Sequence, residues 1–247
     1  MTESSHPTIA LLQSSSLALL VQQEIERAIL TGEYLPGAKL NEQMLAEKLG
    51  VSRGPIREAF RILDEAGLVR TEKNRGVFVR DIPIDEALEI FDLRAAMDEW
   101  VGRCLASRIT PAELAEINTR VAAMEQAVKA QDAHGYHVLN LKFHDRMVEL
   151  TGNRKLTDTY RRLIKELSLF RRQNLADQVL MQTFLDEHKQ IVQAIASGDA
   201  QAAGRAMVDH VMQSKQRTVD NEARQRAAAP ATAANAGASA AAVTPSA

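Results

Sequence analysis

The chain has 247 residues, 45% of them hydrophobic and 25% charged, which excludes a disulfide-stapled miniprotein and a wholly disordered polypeptide. Thirty Lys and Arg stand against 32 Asp and Glu, a formal net charge of -2, so no global field draws the protein to nucleic acid or an anionic membrane and any such binding must be local. The single cysteine, Cys104, excludes an internal disulfide and a Cys-rich metal ribbon, and it reads as small apolar filler in a reducing compartment. No apolar run approaches the roughly 18 residues of a membrane span. The first basic residue is Arg27, so the charged start of a secretory signal is missing and a cytoplasmic, membrane-free protein is expected.

Residues 1–14 are polar and unpatterned and read as a disordered tail, as does the uncharged Ala/Pro/Thr/Ser tract 227–247. Leu17, Leu20, Val21, Ile25 and Leu30 then recur at three- and four-residue spacing, predicting an amphipathic helix closed by Gly32. After a turn through Pro36 and Gly37, Asn41 can cap a short helix carrying Met44, Leu45 and Leu49 that stops at Gly50. Ser52 caps a third helix running through Ile56, Ala59, Phe60 and Leu63 to Gly67. Two helices separated by Leu49-Gly50-Val51-Ser52 make a helix-turn-helix. The β-prone runs 68–71 and 77–80, joined by Glu72-Lys73-Asn74-Arg75-Gly76, predict a tight hairpin and with it the winged variant.

Between residues 51 and 80 seven basic side chains, Arg53, Arg57, Arg61, Arg70, Lys73, Arg75 and Arg80, face four acidic ones, a local +3 within a chain of net -2. A helix-turn-helix reads DNA when its second helix enters the major groove amino end first, and here that end is Ser52-Arg53-Gly54-Pro55-Ile56-Arg57. Arg53 and Arg57 share a helix face, and an arginine fork can take guanine O6 and N7 or a phosphate. The Ser52 hydroxyl and the free N–H groups of the helix start can hold a phosphate oxygen. A merely solvated basic face would have no reason to be flanked by a turn and a wing.

The string LNEQMLAEKLGVSRGPIREAFRILDEAGLV, followed by NRGVFV, resembles the winged-helix domain of GntR-family bacterial transcription regulators over residues 15–81. The resemblance implies DNA contacts at Ser52, Arg53, Gly54 and Arg57, with Asn74, Arg75 and Gly76 at the wing tip. Gly54 stands where the family commonly has Thr or Ser, and Gln43 where many relatives carry a DNA-touching arginine; both departures bear on operator sequence.

From Asp81-Ile82-Pro83 onward the texture changes to long helical patterns, about six in residues 84–226, the second opened by the capping box Thr110-Pro111-Ala112-Glu113. The expected fold class is mostly α: a winged helix-turn-helix over 15–81 and an antiparallel bundle of six to seven helices over 82–226. Three of the six histidines fall on three different bundle helices. His188 lies within the apolar stripe Leu180, Phe184, Ile191, Ile195; His210 sits beside Ala203, Met207 and Val211; His144 flanks Leu139, Phe143 and Met147, with Asn140 one turn before it on the same side. Inward imidazoles on facing helices serve either as hydrogen-bonded core residues or as ligands of a metal site. His6, His134 and His137 fall in a tail and a loop-like stretch and read as solvated.

The series NLKFH, EHKQI and DH resembles the FCD ligand-binding domain, the helical partner of the FadR-like branch of the same family, over about residues 84–220. That resemblance implies a divalent metal, Zn²⁺ or Ni²⁺, on Asn140, His144, His188 and His210, with neutral Asn140 where an Asp is commoner. It also implies that Arg94 meets the carboxylate of a small anionic effector, a phosphonate being the second choice, since an arginine fork suits either. Arg171 and Arg172 are weaker candidates for that role. The resulting expectation is a ligand-responsive repressor that binds an inverted-repeat DNA operator as a homodimer. The competing class is a metal-dependent enzyme using the three histidines, but no HExxH or comparable motif supplies a general base near them.

Overall fold

The computed structural model describes residues 7–172 and 180–228. In chain order the elements are α1 (Pro7–Thr31), β1 (Lys39–Leu40), α2 (Glu42–Leu49), α3 (Arg53–Glu65), β2 (Val69–Glu72), β3 (Gly76–Val79), α4 (Ile84–Arg108), α5 (Pro111–Lys129), α6 (Ala133–Leu150), α7 (Arg154–Arg172), α8 (Met181–Ala196) and α9 (Ala200–Ala228). This is a winged helix-turn-helix followed by a six-helix bundle. No described helix is long and apolar enough to cross a membrane.

Local chemistry accounts for the amino-terminal elements. Asn41 Oδ1 accepts the backbone N–H groups of Gln43 and Met44 at 2.9 and 3.0 Å and starts α2. Gly50 ends it at φ 65°, a left-handed conformation that a Cβ would strain, and so turns the chain toward α3. The sheet is antiparallel in the order β1-β3-β2, with Lys39 opposite Phe78 and Phe78 opposite Arg70. The strand β1 was not anticipated, because two residues are too few to show an alternating pattern. At the wing tip Asn74 has φ 63°, within reach of Asn because its short polar side chain tolerates that region.

Three sequence expectations need correction. Helix α1 begins at Pro7, so residues 7–14 are helical rather than a tail; Pro suits a first helical position, and extending a formed helix by one residue costs little. The buried side of α1 carries Ala18, Val21, Ile25, Ala28 and Ile29, while Leu17 and Leu20 are exposed. Small alanines are what allow close packing, and α1 is apolar on too many sides for periodicity to choose the face. His134 and His137 lie on α6 rather than in a loop, the first exposed and the second half-buried. His6 and residues 229–247 lie outside the described residues.

The winged helix and the bundle are not separated by a free linker at Asp81-Ile82-Pro83. Ile82 is buried, Pro83 caps α4, and one apolar cluster runs from Val21, Ile25, Ile56, Leu63 and Val79 into Ile90, Phe91, Leu163, Leu167 and Phe170. Charges reinforce the junction: Arg80 Nη1 reaches Glu166 Oε2 at 3.1 Å and Gly67 O at 3.1 Å, and Lys165 Nζ reaches Glu26 Oε1 at 2.6 Å. Arg80 also bonds Glu86. It therefore belongs to this junction, not to the basic surface in which it was counted. A second apolar cluster, with Phe143, Met147, Ile191 and Met207, fills the far half of the bundle.

Candidate nucleic-acid interface and metal centre

The start of α3 presents the side chains expected of a reading head. Ser52, Arg53, Gly54 and Arg57 are exposed, while Pro55, Ile56, Ala59 and Phe60 anchor the helix to the core. Ser52 occupies the N-cap position without making a side-chain cap bond, so its hydroxyl is not spent within the helix. Both arginines are held toward α2: Arg53 Nη2 donates to Gln43 Oε1 at 3.3 Å and Arg57 Nε to Glu42 Oε2 at 2.9 Å. Pairs this exposed hold a side chain loosely, and a phosphate can displace the partner. On the wing, Asn74 and Arg75 are exposed at the tip beside Gly76, whose φ is 111°. Lys39, Arg70 and Arg75 surround the Phe78 ring at 5.9, 5.9 and 5.7 Å from its centroid. Arg70 and Arg75 also pair with Glu72, and Arg61 is engaged by Glu58 and Glu65.

In the bundle, α6, α8 and α9 bring His144, His188 and His210 together with all three side chains buried. One nitrogen from each lies within 4.8 Å of the others. His144 Nε2 and His188 Nε2 are 3.2 Å apart, and the His144 and His210 rings stack with centroids 5.0 Å apart. Asn140 Oδ1 is buried and has no hydrogen-bond partner among the described residues. A buried amide oxygen left unpaired costs free energy that a cation would recover. Three imidazoles and a spare carbonyl suit Zn²⁺ or Ni²⁺.

The surrounding groups set which nitrogens are available. His210 Nδ1 lies 2.7 Å from Glu187 Oε2, so this ring donates to the carboxylate and leaves Nε2 as its ligand nitrogen. Glu187 is in turn gripped by Arg217, Nη1 to Oε1 at 2.7 Å and Nη2 to Oε2 at 3.1 Å. Burial pushes the Glu187 carboxyl up, but the bonds from His210 and Arg217 outweigh it and hold it below the ordinary value. The Tyr136 hydroxyl meets His188 Nδ1 at 3.2 Å and can donate or accept, so it serves either tautomer. Burial holds His188 well below the usual imidazole range, with the charges of His210, Arg94 and Arg217 adding to it. His210 is lowered too, burial outweighing the bond from Glu187. Rings kept neutral in this way are in the form a metal requires. Between α8 and α9 a cleft lined by Gln190, Arg205, Asp209 and Gln213 reaches Glu187 and His210 from outside.

Arg94 is buried on the inner side of α4, where its Nε donates to Asp98 Oδ2 at 3.2 Å and to Tyr160 OH at 3.1 Å. Neither bond uses its Nη pair. Its charge adds to the effect of burial in lowering both His188 and His210. The side chains of Arg171 and Arg172 lie outside the described residues. Sequence reasoning missed Tyr136, Glu187, Arg217, Asp98 and Tyr160. Only Asp98 carried a local signal, its i,i+4 spacing from Arg94; Cys104, expected to be buried, is half-exposed on the same helix.

An exposed helix start and wing in one part, and a buried cluster of histidines in the other, are the arrangement of a two-part DNA-binding regulator. The comparisons agree: residues 17–79 match the model of bacterial regulatory proteins of the gntR family, and residues 89–213 match the FCD domain. The chain belongs to the GntR family and carries an FCD domain; it is a transcriptional regulator, not an enzyme. A Bacillus subtilis relative, the uncharacterized HTH-type transcriptional regulator YdhC, is 26% identical over 76% of this chain and 84% of its own. A probable D-xylose utilization operon transcriptional repressor of Paenarthrobacter nicotinovorans is 27% identical over 81% of this chain and 88% of its own. Among solved structures, a putative GntR regulator from Rhodococcus sp. RHA1 has 25% identity and a TM-score of 0.67, covering 83% of this chain and 98% of that one. Escherichia coli McbR/YncC, 18% identical with a TM-score of 0.71, shares the fold over 85% of this chain and 98% of its own.

Proposed function

We propose that this regulator is a repressor that binds an inverted-repeat operator as a homodimer in the cytoplasm and responds to a small anion held beside a divalent metal. The observation that carries this reading is the buried meeting of His144, His188 and His210, with the unpaired Asn140 oxygen one helical turn before His144 on α6 and Arg94 buried on α4. Hydrophobic packing alone would not retain three imidazoles and an arginine where apolar side chains of similar volume fit. A metal would be held by those three rings with Asn140, and when bound it would supply Lewis-acid attraction for an anion. Arg94 offers a second positive group, with Tyr160 and Asp98 fixing its Nε end. A carboxylate such as a hydroxy acid is the first class of effector, a phosphonate the second.

On the DNA side, Arg53 and Arg57 read or anchor the major groove, Ser52 and the backbone at Gly54 take a phosphate, and Asn74, Arg75 and Gly76 reach the neighbouring groove. Repression as the direction of control has its support in the repressors among the relatives. An effector in the bundle touches no DNA, so it alters operator affinity only by preferring one arrangement of the two winged helices. The shared core and the Arg80–Glu166 contact give it a solid path.

The test is metal analysis of the purified chain joined to operator titration. Wild type is expected to carry about one Zn²⁺ or Ni²⁺ per chain and His188→Ala to lose it, and a panel of small carboxylates and phosphonates should contain a member that shifts operator affinity. Equal metal in His188→Ala removes the centre; an intact centre with no responsive anion removes the effector class.

A further inference from the structure

We infer that Lys39 on β1 is a phosphate contact, and that it grips the sugar–phosphate strand dividing the groove read by α3 from the groove entered by the wing. The inference rests on the reading of α3 and the wing tip given above and adds to it a residue from a third element. Lys39 is exposed, and no carboxylate pairs with it among the described residues. Many exposed lysines move freely in solvent, but this one is laid along the wing.

In the register of the sheet Lys39 stands opposite Phe78, and Phe78 opposite Arg70, so the three share one outward row across β1, β3 and β2. The Lys39 stem runs diagonally toward the hairpin tip. A Cβ placed on Gly76 would lie 3.1 Å from Lys39 Cε and 3.8 Å from Nζ. The ammonium also stands 5.9 Å from the centroid of the Phe78 ring. Apolar contact along the stem and the pull of the ring on the charge thus hold the side chain over the wing. Gly76 serves twice: its φ of 111° suits the turn, and its missing side chain leaves the lane that the lysine occupies.

On its other side Lys39 leads into the reading head. Asn41, the cap of α2, follows two residues later, and Glu42 and Gln43 come next. Glu42 Oε2 accepts from Arg57 Nε at 2.9 Å, and Gln43 Oε1 accepts from Arg53 Nη2 at 3.3 Å. The start of α2 therefore touches both reading arginines, while the Lys39 ammonium lies beside the wing tip. When a helix occupies a major groove and a wing the neighbouring minor groove, the strand that separates the grooves passes between helix and wing. A cation at that place meets phosphates whatever the base sequence. Charge singles out the lysine among its neighbours. Arg70 and Arg75 share the carboxylate of Glu72 at 3.1 and 2.5 Å, whereas Lys39 has no such pair to break when a phosphate arrives. A compact ammonium suits a phosphate, which asks for charge and not for a planar match.

Lys39→Met keeps the stem over Gly76 and Phe78 and removes only the charge; Lys39→Arg puts the charge back. Binding is measured by fluorescence anisotropy over a series of salt concentrations on two duplexes, one of random sequence and one selected from a random pool by the wild-type protein. One neutralised phosphate contributes about 0.9 to the salt slope, so Lys39→Met should lower the slope by about 1 per chain bound. Over a fourfold rise in salt the gap between wild type and variant should then narrow about threefold per chain. The loss should be equal on both duplexes, the melting temperature unchanged and the slope restored in Lys39→Arg. A merely structural role would leave the salt slope where it was. Wild-type affinity and slope in Lys39→Met, with Arg53→Ala and Arg75→Ala weakened, overturns this contact and leaves the reading of α3 and the wing intact. Wild-type affinity in all three variants overturns both. A loss confined to the selected duplex would make Lys39 a reader of bases and overturns the phosphate assignment. Should Lys39→Met aggregate, Lys39→Gln carries the same measurement.

Discussion

His144 and His188, 44 residues apart in sequence, meet Nε2 to Nε2 at 3.2 Å inside the bundle. Zinc–nitrogen bonds of about 2.0 to 2.1 Å in a tetrahedron put ligand nitrogens about 3.3 Å apart, so the pair already stands at the edge length of such a site. Without a cation, two neutral rings at this distance can share one proton between them, which satisfies one donor and one acceptor. The pair is thus satisfied as a neutral hydrogen bond and stands at the spacing that two ligands of a metal would take. It also makes the centre sensitive to acid, because a second proton has no place in it.

That sensitivity can be measured on protein stripped with a chelator. His188 and His210 have folded values below the usual imidazole range, burial being the main cause. Below about pH 6.5 the unfolded chain binds protons there that the folded one refuses, so their contribution to stability is complete above that pH and is lost as pH falls. Asp98 opposes this: burial, offset in part by Arg94, pushes its carboxyl up to about 6, so the folded chain gains a proton between about pH 6 and 4 and with it some stability. Two histidines against one carboxylate leave a net loss, and the melting temperature should be lower at pH 5.5 than at 7.5. A melting temperature that rises on acidification would show the rings charged in the folded state.

Glu42 restrains Arg57 in the free protein, so Glu42→Gln should strengthen operator binding several-fold at low salt. Arg57→Ala should weaken it, and Arg53→Ala should cost about 1 to 3 kcal/mol and relax base preference if it reads guanine. Gel-shift titrations at a series of fixed salt concentrations measure all three. Unchanged affinity across the set would place the duplex elsewhere on the protein.

Removing one partner of a buried ion pair is costlier than removing both. Arg94→Ala strands the Asp98 carboxylate, whose Oδ1 already lacks a partner among the described residues, and should destabilise the chain by about 3 to 5 kcal/mol. Asp98→Asn, which keeps an acceptor for Arg94, should cost clearly less. Urea unfolding at pH 7.5, where Asp98 is ionised, gives both values. A loss under about 1 kcal/mol in Arg94→Ala would mean that Asp98 is neutral in the fold.

Much of the winged helix was legible because its signals are local. Asn41, Gly50 and Asn74 act through their own backbone or that of residues two or three positions away, and such chemistry survives without knowledge of the rest of the chain. The inward turn of His144, His188 and His210 was legible for a related reason: helical period puts a residue on the side of its i±3 and i±4 neighbours, and most of those neighbours are apolar, all four of them for His188. What periodicity does not specify is rotation when a helix is apolar on several sides, as α1 is, or pairing when a strand has two residues, as β1 has.

The amino-acid sequence by itself determined the order of the helices and the hairpin, the arginine-bearing start of α3 and the three inward imidazoles, because each depends on spacing within one segment. Only the tertiary structure decided the partners: Tyr136 on His188, Glu187 and Arg217 behind His210, Asp98 and Tyr160 on Arg94, and Arg80 turned from the DNA side to Glu166. Most of these pairs join separate helices or strands, tens of residues apart in the chain, and even the i,i+4 pair on α4 takes its strength from burial. How strongly such groups hold each other depends on how much water packing removes from between them, and no stretch of sequence carries that quantity.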